Sequence, residues 1–262
     1  MAFGNYVRSL LSDLPESEKI ILIFDEFDKI ESKIRDNLFN SRFLLYLKAF
    51  LQHNTRVTAI IGGNFDSGKL NSSEWQEFFT IFNPKIVGVL DEDSATALVT
   101  EPVKDVLKYD RYAVKKILDF SGKNPFYIQL LCHTLINYIN EEKKQSFVEA
   151  EDVSTVILNE AREKASSILR LTWDELDPVE QSILCALSRL KAQYGRSIEL
   201  KEIRQYLKQN NIKIRRWRLF KLLDGLKEKY VITKSGESPL FYDFNILLLG
   251  EWVAEHGRLV GE

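Results

Sequence analysis

Hydrophobic positions recur along this chain in two different rhythms, and the rhythm changes near residue 90. Before that point short, unbroken apolar runs alternate with helical patterns. Residues 20–24 (IILIF) read as a fully buried strand, 56–61 (RVTAII) as a second, ended by Gly62 and Gly63, and 85–90 (KIVGVL) as a short third. Unbroken runs, in place of an in-and-out alternation, predict parallel strands covered on both faces, as in α/β folds. Residues 6–14 read as the end of a helix, and 41–51 as a helix with Phe43, Leu47 and Phe50 along one side.

Past residue 90 the apolar period is helical, and four helices are expected up to about residue 166. Asp91 suits the N-cap of the first, and Pro102 the first turn of a helix carrying Val103, Val106 and Leu107. A helix over 112–120 ends at Ser121 and Gly122, and Pro125 opens the long apolar run PFYIQLLCHTLINYI. The last third holds a helix within WDELDPVEQSILCALSRL, a second over 199–207 and a third over 214–229. YVITKSGESPLFYDF follows, as two strands around a turn containing Gly236 and Pro239, and 246–254 adds a closing helix. Three helices and then a hairpin predict a winged helix-turn-helix. The expected organisation is an α/β core over 1–90, a helical lid over 91–167 and the winged-helix domain over 168–262.

At 262 residues, 45% hydrophobic and 28% charged, the chain can build one large core or two small ones. Its two cysteines, Cys132 and Cys185, stand far apart in apolar helical stretches, which reads as reduced core thiols in a cytoplasmic protein. The start MAFGNYVRSLLSDLPESEK has no apolar core of a leader, and no window approaches the roughly 18 apolar residues of a membrane span. His53, His133 and His256 have no second ligand at metal spacing. The aromatic run Trp75, Phe78, Phe79 and Phe82 has helical spacing and reads as core. Glu141 to Lys144 reads as a solvated loop.

The first chemistry lies in IILIFDEFDKI, residues 20–30. A buried strand that ends in Asp25 and Glu26 delivers both carboxylates to its C-terminal edge, where parallel sheets bind ligands. In phosphate-binding ATPases the Asp of such a strand orients Mg2+ through water, and the neighbouring Glu polarises the attacking water. Acidic residues also follow strands as helix starts or solvated loops, so the pair alone does not decide.

IILIFDEFDKI, RVTAIIGGN, KIVGVLDEDSATALVTEPV and ILDFSGKNPFYIQLLCHTLI together span nearly all of residues 15–160. In that order they resemble landmarks of STAND-type signalling ATPases and their AAA+ relatives. The resemblance implies a partial P-loop ATPase sheet, a helical lid and a winged helix, in a switch that couples nucleotide state to domain rearrangement and oligomer assembly. It also implies roles: Asp25 positions Mg2+ through water, Glu26 orients the attacking water, Asn64 senses the γ-phosphate, and Gly122 and Pro125 line the adenine side.

One part of that pattern is missing. In these ATPases the Gly-rich phosphate loop precedes the Asp-Glu strand, and the 19 residues before Ile20 are too few for a strand, loop, helix and second strand. The run from Gly63 to Lys69 partly matches such a loop. However, Leu70 stands where the Mg2+-binding hydroxyl belongs, Asp66 would put a carboxylate in a phosphate nest, and the run follows the wrong strand. The family's sheet order puts the absent strand between 56–61 and 85–90, so a gap is expected there. Either those two strands collapse onto each other, or the missing half comes from another chain or from an upstream region of a larger protein. ATP and Mg2+ are expected as cofactors only when that half is supplied, and the chain alone is expected to bind no ATP with useful affinity.

The second chemistry is a basic helix. Residues 210–234 hold eight Lys or Arg against two acids, a local +6 in a chain of net −2. On a helical wheel Leu219, Leu222, Leu223 and Leu226 form a buried stripe, with Trp217, Arg218 and Lys221 roughly opposite. In a DNA-binding winged helix Arg215, Arg216, Arg218 and Lys221 would contact phosphates or bases, and the hairpin near Lys234 the backbone. Equally, the winged helix can act as an intramolecular latch, with Trp217 packed on the lid or core. A second functional reading is a DNA-binding or protein-interaction regulator, resembling origin-recognition-type ATPases, that has lost nucleotide binding.

Overall fold

A computed structural model describes residues 2–65 and 72–260. The chain forms two compact units, Met1–Ile86 and Val87–Glu262. The first contains α1 (Ala2–Asp13), β1 (Ile20–Phe24), α2 (Lys29–Arg35), α3 (Arg42–His53), β2 (Val57–Ile61) and α4 (Ser73–Phe79). β1 and β2 pair in parallel, from Ile20 beside Val57 to Phe24 beside Ile61. Phe27, Leu44, Leu47, Trp75 and Phe78 form one buried cluster, and Val7, Phe50 and Val57 a smaller one under α1. Phe27 stacks on Phe78 with ring centroids 5.6 Å apart and meets the edge of Trp75 at 5.8 Å. Arg56, just before β2, ties the end of α1 to β1: its guanidinium donates to the carbonyls of Leu11, Leu14, Pro15 and Glu18.

Two expectations about this unit are corrected. β1 is not buried on both sides. Ile20, Leu22 and Phe24 are half-buried, while Ile21 is 59% exposed, Ile23 72%, and Ile60 on the neighbouring strand 54%. The described residues cover one face of the sheet, so the apolar run has nothing to bury its other face against. Residues 85–90 form no strand. They carry no ladder and bend at Val89, and Ile86 and Val87 are almost wholly exposed. An extended segment becomes a strand only when a neighbouring strand takes up its N–H and C=O groups in a ladder, and among the described residues no strand pairs with it. The partial match from Gly63 to Lys69 lies mostly outside the described residues.

The second unit holds α5 (Glu92–Thr100), β3 (Lys108–Tyr109), α6 (Arg111–Ser121), α7 (Pro125–Tyr138), β4 (Phe147–Val148), α8 (Ala150–Val156) and α9 (Arg162–Asp174). It continues through α10 (Pro178–Tyr194), β5 (Ile198–Glu199), α11 (Leu200–Gln209), α12 (Arg216–Glu228), β6 (Ile232–Ser235), β7 (Phe241–Phe244) and α13 (Leu247–His256). β3 pairs with β4, and the last three strands form a sheet in the order β5-β7-β6. One continuous hydrophobic core runs from Ala95 to Leu259.

Local chemistry sets the helix ends. Asp91 accepts from the Ser94 N–H at 2.7 Å to start α5, and Asn124 from the Phe126 N–H at 3.0 Å to start α7. Asp177 and Glu180 exchange capping bonds at α10, and Gly122 ends α6 in the left-handed region. The helix expected after Pro102 is a single tight turn, Glu101–Val103. Val106 points to solvent while Leu107 is buried, so no apolar stripe holds a further turn. Residues 141–143, expected in a loop, belong to a wide helical turn that extends α7, and Lys143 pairs with buried Asp152 at 3.2 Å.

Candidate functional site

β1 ends where its carboxylates were expected, at the carboxyl edge of a parallel pair. Asp25 and Glu26 follow Phe24 in a bend outside any helix, and both are exposed. Two backbone bonds stitch the strand ends together: the Gly62 N–H donates to the Phe24 carbonyl at 2.8 Å, and the Phe27 N–H to the Gly62 carbonyl at 3.0 Å. The bend accepts Glu26 at φ +50°, helped by the Asp25 carboxylate, whose Oδ1 takes the Glu26 N–H at 2.8 Å. That carboxylate lies beside Gly62, 3.3 Å from where a Cβ would stand. Gly63 is tighter still: a Cβ there would come within 2.5 Å of Asp28 Oδ1. Two successive glycines therefore let β2 end directly against the acidic bend.

Glu26 pairs with Lys29 at 2.5 Å, and that hydrogen bond holds the lysine's pKa above its ordinary value. Glu26 is thus tethered on the surface. Asn64 is exposed three residues past the end of β2. Among the described residues no group of three or more His, Cys, Asp or Glu gathers as a metal site. A single carboxylate at a strand tip still fits Mg2+, which keeps several waters and takes its remaining ligands from phosphates.

Gly122 and Pro125 belong to the second unit. Gly122, at φ +58°, is covered by the corner between β7 and α13: a Cβ there would lie 2.6 Å from the Asn245 carbonyl oxygen. The Asn245 amide also donates to the Tyr230 carbonyl at 3.0 Å and to that of Gly122 at 3.4 Å. The Leu90 N–H donates to the Lys123 carbonyl at 3.0 Å, and Tyr230 packs on Gly88. The α6–α7 turn therefore contacts both the start of this unit and its last third.

On α12 the buried stripe is Leu219, Leu223 and Leu226. Arg215, Arg216, Trp217, Arg218 and Lys221 are all exposed, Trp217 by 63%. Lys234 differs: Asp224 holds it at 2.9 Å and raises its pKa, so its charge is already answered. A groove of about 690 Å3 lies in this second unit, between α11, the start of α12 and the hairpin tip. Two of its cations, Arg204 and Lys208, escaped sequence reasoning. Their signal was a four-residue spacing on α11, outside the charge-dense run. Burial pushes the Cys132 thiol up to about 12, which leaves it protonated and unreactive.

No family model and no curated protein matches the chain. Solved structures do. A Walker-type ATPase of Pyrococcus abyssi is 17% identical with a TM-score of 0.58, over 90% of this chain and 63% of that one. The ORC2 protein of Aeropyrum pernix, in complexes with ADPNP and ADP, is 14% identical with a TM-score of 0.45, over 97% of this chain and 69% of its own. The RuvB Holliday junction branch migration motor of Thermotoga maritima is 14% identical with a TM-score of 0.43, over 88% and 69%. The first of these scores carries the fold, which is similar to that of the Walker-type ATPase. The chain spans about 63% of the length of that first structure.

Proposed function

We propose that this chain is the Asp-Glu strand, sensor and lid portion of a STAND- or AAA+-type ATP switch, completed by a Gly-rich phosphate loop from outside these residues. The observation that carries the proposal is the position of Asp25, at the carboxyl tip of a parallel strand and against Gly62 of its neighbour. There it would hold Mg2+ through water, with Glu26 released from Lys29 to orient the attacking water and Asn64 reading the γ-phosphate. Gly122 and Pro125 would line the adenine side, and the helices and hairpin after residue 168 would act as a winged helix that follows the state of the lid. The bare sheet face and the unladdered 85–90 segment support a missing strand and helix in cis or in trans, because parallel sheets are stable when both faces are covered.

Radiolabelled ATP binding tests this, measured on the 262-residue chain alone and with a Gly-rich-loop segment joined to it or added as a second chain. Binding is expected in the completed form, and Asp25→Asn should remove its Mg2+ dependence. Micromolar binding by the chain alone would show that no separate loop is needed. Failure of every completed form would end the switch reading.

A further inference from the structure

Arg204 and Lys208 stand one turn apart on the exposed face of α11, about 6 Å along the helix axis. Arg216, in the first turn of α12, lines the same groove. None of the three has a carboxylate partner among the described residues, whereas Lys201, farther along the same groove, is held by Glu199 at 2.7 Å. Phe220 and Pro239 add apolar and aromatic lining. The Arg216 guanidinium lies over the Phe220 ring, 5.7 Å from its centroid. Next to Arg216 the Trp217 indole is 63% exposed, an apolar surface that the fold leaves uncovered.

Cations without carboxylate partners beside one exposed indole suit a polyanion whose bases are free to stack. We propose that this groove binds single-stranded nucleic acid, with Arg204, Lys208 and Arg216 along the phosphates and Trp217 stacking on an unpaired base. Stacking on aromatic side chains with a cationic track for the backbone is the physics of single-strand binding. A duplex offers less to the exposed indole, because its bases are already stacked on one another. The tip of the hairpin carries Glu237 at the groove, and Lys234, the nearest hairpin cation, is neutralised by Asp224 at 2.9 Å. The hairpin therefore offers no uncommitted cation to a duplex backbone. The inference is independent of the nucleotide switch.

Fluorescence anisotropy of the full chain with labelled oligo(dT), oligo(rU) and a duplex of equal length, at rising salt, tests it. One or both single strands should bind at least ten-fold tighter than the duplex, and the two separate DNA from RNA. Three phosphate contacts predict a log–log salt slope of about −2. Trp217→Ala, at an exposed position where folding is not at stake, should cost the single strand about ten-fold or more in affinity and leave duplex binding unchanged. Arg204→Glu with Lys208→Glu should flatten the salt slope. Circular dichroism confirms that each variant is folded. Equal or tighter duplex binding overturns the proposal, as does an unchanged affinity in Trp217→Ala. So does no binding of either strand, or displacement of the strand by polyglutamate at matching charge.

Discussion

Two glycines in the second unit should respond to alanine in opposite directions. Gly122 holds φ at +58°, and its missing Cβ makes room for the Asn245 carbonyl oxygen, 2.6 Å from where that atom would be. Alanine there adds backbone strain to a clash with main chain, which a rotamer change cannot relieve. Gly122→Ala should destabilise by about 2 kcal/mol, lowering the unfolding midpoint by about 5 °C. Gly225 sits inside α12 with open space around it. No turn, contact or unusual φ requires glycine there, so Gly225→Ala should stabilise by about 0.5–1 kcal/mol through helix propensity. Thermal unfolding of the two variants beside the parent checks both signs. If Gly122→Ala were neutral, the corner at Asn245 would not be seated on the α6–α7 turn, and the link between that turn and the last third would be lost.

Elements whose ends are decided locally were legible in the sequence, and those that depend on a distant partner were not. Asp91, Asn124 and Gly122 each act within a few residues of themselves, so the starts of α5 and α7 and the end of α6 follow from side-chain chemistry alone. The run IILIF announces a strand because Ile and Phe favour a pleated surface, but whether Ile21 and Ile23 are covered depends on what lies over them. The 85–90 segment has strand residues and no strand paired with it among the described residues, and its state is decided by that pairing. In the candidate site, the position of Asp25 could be read from the end of an apolar run. The tether from Glu26 to Lys29 and the loss of Lys234 to Asp224 depend on side-chain geometry that spacing does not reveal. The bare face gives a contrast between matched substitutions. Ile23→Thr, at 72% exposure, should change stability by less than about 0.5 kcal/mol. Val57→Thr, at 5% exposure, should cost about 1–2 kcal/mol, because it buries a hydroxyl among apolar neighbours. Urea titrations of the two variants give the comparison, and a large loss at Ile23 would mean that this face is covered.

At the scale of the whole molecule, two units with separate cores are joined through a stretch that has strand composition but forms no strand with any described residue. Ile86 is 88% exposed and Val87 95%, so these apolar residues gain nothing from the fold as it stands. Burying them in a sheet would return roughly 1.5–3 kcal/mol each, a sizeable share of the stability of a small unit. The stretch thus amounts to an incomplete interface, held open by the lack of a strand beside it. Limited trypsin digestion reads that state directly, since Lys85 is exposed and carries no ladder bond. In the chain alone, cleavage after Lys85 should be among the first events. When a Gly-rich-loop segment completes the sheet, the same bond should be protected in proportion to the segment bound, because a protease needs an extended, unpaired substrate backbone. Ile23→Thr should weaken that protection while leaving cleavage of the chain alone unchanged. If trypsin cuts at Lys85 equally fast with the completing segment saturating, residues 85–90 do not pair with it, and the missing strand must lie elsewhere than beside them.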